Sequence, residues 1–175
     1  MNKIFIISGN RNIGKTNYCH RMIKRAHRKN WDVAGVLSPG TFVNNKKVCI
    51  DVQSLRTGEC RILAQNQASE IMGPSTEHWY FDSESIEWGN TILQSAIPCD
   101  FLVVDELGPL EFRLGKGWQA GLDILDSGQY CLAFAVIRPE FLPLAKQRWP
   151  SAKLIWLNEF NRLILFYWWQ ICLFS

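Results

Sequence analysis

Short apolar runs alternate with segments whose apolar residues recur three and four apart. Lys3–Ser8 (KIFIIS) is apolar up to Gly9, the form of a buried strand. From Lys15 to Lys29 the residues Tyr18, Cys19, Met22, Ile23 and Ala26 share one helical face, and cations occupy the other. Val33–Ser38 predicts a second strand, stopped by Pro39-Gly40. Thr41–Val43 and Val48–Leu55 flank Asn44-Asn45-Lys46-Lys47, which predicts a β-hairpin because asparagine tolerates the positive φ of tight turns. Cys60–Ala64 adds a strand, while residues 65–82 match no period and are broken by Gly73-Pro74. Beyond them the pattern predicts a helix over Ser85–Ala96 despite Gly89, a strand at Phe101–Val104 and a helix at Trp118–Leu125. A strand at Tyr130–Ile137, a helix at Phe141–Arg148 and a strand at Lys153–Leu157 complete the series. Strands apolar throughout and separated by helices imply an α/β fold, a mostly parallel sheet with helices on both faces and the hairpin added to it.

At 175 residues with 47% hydrophobic content, the chain suits one folded domain, and disorder is excluded. Its net charge of +3 divides unevenly: residues 1–31 carry eight cations and no carboxylate, leaving −5 on the rest. So basic an end calls for an anionic partner, or else is a solvated face. The six cysteines form no C-x-x-C pair and the three histidines no metal-spaced pair, which argues against a structural metal. The opening MNKIFIISGN lacks the features of a signal peptide, so free thiols in a reducing cytoplasm are expected.

Gly9-Asn10-Arg11-Asn12-Ile13-Gly14-Lys15-Thr16 satisfies G-x-x-x-x-G-K-[ST] between a predicted strand and a predicted helix. Such a loop aims successive N–H groups and a helix N-terminus at phosphate oxygens. Lys15 is placed to neutralise the outer phosphates, and the Thr16 hydroxyl to ligate Mg²⁺. Arg11 is expected to face solvent, and Arg21, Lys24, Arg25, Arg28 and Lys29 lie too far along the helix for the same phosphates. No nucleic-acid module accompanies them, which argues against nucleic acid as a partner.

The strand FLVV runs into Asp105-Glu106. Asp105 stands where a P-loop protein holds its metal, and Glu106 where a carboxylate can polarise an attacking water, which favours hydrolysis. No N-K-x-D string reads guanine. Two alternatives stay open, a nucleotide or small-molecule kinase and a nucleotide-dependent switch associated with nucleic acid. Arg138, at the end of the strand Tyr130–Ile137, is a candidate for the γ-phosphate, with a surface salt bridge as the other reading.

DELGPLEF at Asp105–Phe112 resembles the THEP1 family of nucleoside-triphosphatases. GNRNIGKT, the segment Gly35–Ala64 (GVLSPGTFVNNKKVCIDVQSLRTGECRILA) and Asn161-Arg162 extend the likeness over residues 1–162. The resemblance implies a three-layer RecA-like P-loop NTPase fold and slow, Mg²⁺-dependent hydrolysis of several nucleoside triphosphates, ATP and GTP among them, with little base discrimination. It also assigns Asp105 to the metal and Glu106 to the water. The sequence departs from the family at Asn12, where a further glycine is common, at Cys49-Ile50-Asp51, and at Leu163, where an acid follows N-R.

Residues 163–175 hold two apolar runs, LILFYWW and ICLF. As a helix the 12 residues 163–174 would span about 18 Å against a hydrocarbon core of roughly 30 Å, so no transmembrane span is expected. It is expected to pack on the domain or at a homo-oligomer interface.

Overall fold

The computed structural model describes residues 3–67 and 72–161; Arg162, Cys172 and the whole 163–175 stretch, with the packing expected of it, lie outside the described residues. Ten strands among the described residues form one sheet: β1 (Lys3–Gly9), β2 (Val33–Leu37), β3 (Gly40–Val43), β4 (Lys46–Ser54), β5 (Cys60–Gln65), β6 (Ser75–Thr76), β7 (Trp79–Phe81), β8 (Cys99–Leu107), β9 (Tyr130–Ile137) and β10 (Lys153–Leu157). The helices are α1 (Lys15–Arg28), α2 (Ser83–Gln94), α3 (Pro109–Phe112), α4 (Gln119–Ser127) and α5 (Leu142–Arg148).

The sheet order is β10-β1-β9-β8-β2-β4-β5-β7-β6, with β3 also on β4. The first five strands run parallel, and their central members are buried on both faces, as their unbroken apolar sequences require. From β4 onward the pairing is antiparallel, so the added part is a five-strand wing and not one hairpin. Asn44 and Asn45 turn β3 into β4 with φ of 48° and 61°, the positive values the sequence anticipates. The unassigned 65–82 region supplies β6 and β7, and α3 is a single turn outside any periodic segment.

Two cores sandwich the sheet. On one face α1 buries Tyr18, Cys19, Met22, Ile23 and Ala26 against Phe5, Phe101 and Phe134. On the other, residues of α2, α4 and the α5 region close over Ile6, Val104 and Ala135. The result is a three-layer α/β architecture that brings the ends of β1, β8 and β9 together at one edge. No helix among the described residues is long and apolar enough to cross a membrane, and the five described cysteines are free thiols.

Candidate active site

Gly9 ends β1 with a φ of 145°, and a Cβ there would lie 2.4 Å from the Leu157 carbonyl oxygen of β10, so only glycine lets the loop leave the sheet at this point. Asn12 has a φ of 61°, and asparagine is among the few other residues that adopt this conformation readily; the departure from glycine therefore keeps the backbone path. Gly14, at φ 96°, opens α1 without a side-chain cap, and the first turn holds no carboxylate. The amides at that helix end remain available to an anion. Lys15 curls back so that Nζ donates to the carbonyl oxygens of Gly9 at 2.9 Å and Asn10 at 3.0 Å. Burial pulls its ammonium below the usual lysine range, while Glu106 and Asp105 act in the opposite direction.

Asp105 is fully buried near the end of β8. Its Oδ2 accepts from the Ser38 backbone N–H at 3.0 Å, and its Oδ1 has no hydrogen-bond partner. Burial, then the adjacent Glu106, pushes the carboxyl up to about 7, partly offset by the Ser38 N–H and the Thr16 hydroxyl. A buried carboxylate oxygen left unpaired beside a threonine hydroxyl is a donor set that fits a hard divalent cation such as Mg²⁺.

The next residue breaks the strand. Glu106 has a φ of 69°, and the β8–β9 register shifts between Val104 and Leu107. This bulge turns the Glu106 side chain out of the ladder. Its Oε1 lies 3.4 Å from Lys47 Nζ of β4, and its Oε2 lies 3.8 Å from Arg138 at the end of β9. Three contacts hold the backbone on either side. The Trp118 indole N–H donates to the Asp105 carbonyl at 3.0 Å; the Glu111 carboxylate accepts from the Gly108 N–H at 2.7 Å and from the Trp118 N–H at 2.8 Å. Glu111 is itself buried, and burial pushes its carboxyl up to about 7.

The structure thus brings Lys15, Thr16, Asp105, Glu106 and Arg138 to one edge of the sheet. Arg11 is exposed at the loop's rim, and Lys24, Arg28 and Lys29 are exposed along α1. Sequence reasoning missed Lys47, Ser38, Glu111 and Trp118. A signal existed only for Glu111, which stands three residues beyond Gly108 with Pro109 between, the spacing of a helix-start box. In front of Glu106 opens a cleft of about 680 Å³ between the β3–β4 turn, the β6–β7 pair and Arg138.

A family model described as NTPase matches residues 4–167. The chain is similar to nucleoside-triphosphatase THEP1 of Caldivirga maquilingensis, 25% identical over 130 residues that cover 74% of this chain and 73% of the relative. Its similarity to nucleoside-triphosphatase THEP1 of Pyrococcus abyssi is 28% over 160 residues, 90% of this chain and 85% of that one. Among solved structures it is similar to the crystal structure of THEP1 from the hyperthermophile Aquifex aeolicus, with a TM-score of 0.72, 17% identity and 99% of each chain covered. The solution structure of a human cancer-related nucleoside triphosphatase matches with a TM-score of 0.72 and 19% identity, covering 98% of this chain and 97% of that one. These structural likenesses establish the α/β fold.

Proposed function

The chain belongs to the NTPase family, and on that premise we propose that it hydrolyses nucleoside triphosphates to diphosphate and phosphate with Mg²⁺ and little base discrimination. The observation that carries the reading is Glu106, a carboxylate turned out of the sheet beside the phosphate loop and flanked by Lys47 and Arg138.

In this reading the amides of residues 9–16 and the α1 N-terminus grip the phosphates, and Lys15 exchanges its two carbonyl partners for phosphate oxygens. Thr16 and the unpaired Asp105 Oδ1 would hold Mg²⁺, which supplies charge neutralisation at the phosphates. Glu106 orients a water and takes its proton as the oxygen attacks the γ-phosphorus. Arg138 and Lys47 face the same region and offset the charge that spreads over the equatorial oxygens. The chain has no N-K-x-D string of the kind that selects guanine, which is consistent with use of more than one base. Free thiols throughout the described residues support a reducing, cytoplasmic setting.

Phosphate release from ATP, GTP, CTP and UTP, with Mg²⁺ and with chelator, tests the reading. Glu106→Gln should lose about a hundredfold or more in turnover while still binding nucleotide. Undiminished turnover in that variant would remove Glu106 from the chemistry.

A further inference from the structure

Hydrolysis needs room for one water at Glu106, about 30 Å³. The cleft in front of Glu106 holds about 680 Å³, a size that suits an organic ligand. Of the phosphate loop it touches Arg11 and Asn12 but not Lys15 or Thr16, so it opens beside the phosphate grip, with Glu106, Lys47 and Arg138 in its wall.

Its chemistry is specific. Arg11, Lys47, Arg113 and Arg138 reach it from four separate segments, and the Trp79 ring lines it with them. Lys47 Nζ stands 5.7 Å from the Trp79 ring centre, and the Arg113 guanidinium lies 5.0 Å from the centre of Phe141, a buried ring stacked on Phe112. Glu77, Glu106 and Glu140 also line the cleft, with Glu106 paired to Lys47 and Arg138. Converging cations beside the partly exposed Trp79 suit a ligand that carries a phosphate and a flat ring.

We propose that this cleft binds a nucleoside monophosphate, and that the bound monophosphate accepts the γ-phosphoryl group in place of water. The proposal rests on the nucleoside-triphosphate reading above. An oxygen of the acceptor's phosphate forms a bond to the γ-phosphorus while the bond from that phosphorus to the β–γ bridging oxygen breaks, its electron pair leaving with the diphosphate. One triphosphate and one monophosphate give two diphosphates; nothing is oxidised or reduced. The attacking oxygen is already anionic, so this step needs no base, whereas attack by water does.

The two activities therefore separate. The enzyme is incubated with Mg²⁺, γ-labelled ATP and each of AMP, GMP, CMP and UMP, and the label is followed to nucleoside diphosphate, free phosphate or unreacted ATP. Label is expected in the diphosphate of at least one acceptor. Glu106→Gln should cut release to water about a hundredfold and leave transfer within a few-fold. Arg113→Ala and Trp79→Ala should each raise the acceptor KM about tenfold or more, and Arg113→Ala should keep acceptor-free hydrolysis within about twofold. Label found only as free phosphate with all four acceptors overturns the proposal and leaves hydrolysis standing. Transfer with an unchanged acceptor KM in both variants overturns the cleft as its site. Label that stays on ATP with and without acceptor overturns the triphosphate reading and the proposal with it.

Discussion

A glutamate in the left-handed region costs on the order of 1–2 kcal/mol, so Glu106 stays there only because its neighbours leave its backbone no alternative. The Trp118 indole fixes the carbonyl before it and the Glu111 carboxylate the amide two residues after it. Lys47 acts on the side chain instead. Its ammonium is only partly exposed and lies 3.4 Å from Glu106 Oε1, and its stem runs over Gly40, where a Cβ would come within 2.2 Å of Lys47 Cε. A partly solvated pair contributes little to stability, roughly 0.5 kcal/mol. Lys47→Ala should therefore leave the urea midpoint almost unchanged while lowering phosphate release about tenfold, and Lys47→Arg should recover part of that loss. Steady-state kinetics beside equilibrium unfolding would check this; wild-type turnover in Lys47→Ala reduces the contact to a surface ion pair. The phosphate-loop residues and Asp105-Glu106 were legible in the sequence because each motif is contiguous. Lys47 was not, because 59 residues separate it from Glu106 and only strand pairing joins them.

Among the elements, α2 carries a residue that helix propensity alone disfavours. Glycine within a helix costs about 1 kcal/mol relative to alanine, yet Gly89 is buried mid-helix. The Trp118 ring rests on it, and a Cβ would meet that ring at 2.3 Å. The same Trp118 reaches Asp105 through its indole N–H, so the fit between α2 and the start of α4 sets the backbone at the site. Gly89→Ala should destabilise by about 1–3 kcal/mol despite its better propensity, and should lower turnover through the displaced indole. Urea unfolding and phosphate release on one preparation would decide it, since a more stable variant with full turnover would detach Trp118 from the chemistry. Helical and strand periods revealed the long elements to within a few residues, because each buries a face that its own sequence marks. β6, β7 and α3 escaped because two to four residues hold no period. β7 exists through its pairing to β5, β6 through its pairing to β7, and α3 through Pro109 at its start and the Glu111 carboxylate on Gly108.

Across the whole molecule, the site is shared between two kinds of sheet. Parallel β1, β8 and β9 deliver the phosphate loop, Asp105-Glu106 and Arg138 to one edge, and the antiparallel wing, attached through β2–β4, delivers Lys47 and Trp79. Holding that junction together places a carboxylate, Glu111, in the interior with both oxygens committed to backbone amides. Its effect on global stability follows from linkage. Burial raises the folded-state value from 4.5 to about 7, so the folded protein binds this proton more tightly than the unfolded chain does. The resulting stabilisation is complete below about pH 4.5 and is lost as pH rises through about 7. Between pH 5 and 8 the nucleotide-free protein should lose roughly 2–3 kcal/mol from this group alone. Glu111→Gln cannot titrate and keeps one acceptor oxygen, so it isolates the effect from the other ionisable groups. Urea unfolding of both proteins across that range should show the wild type falling relative to the variant as pH rises. Parallel curves would mean that Glu111 stays ionised when folded, with its two amide bonds fully offsetting the cost of burying the charge.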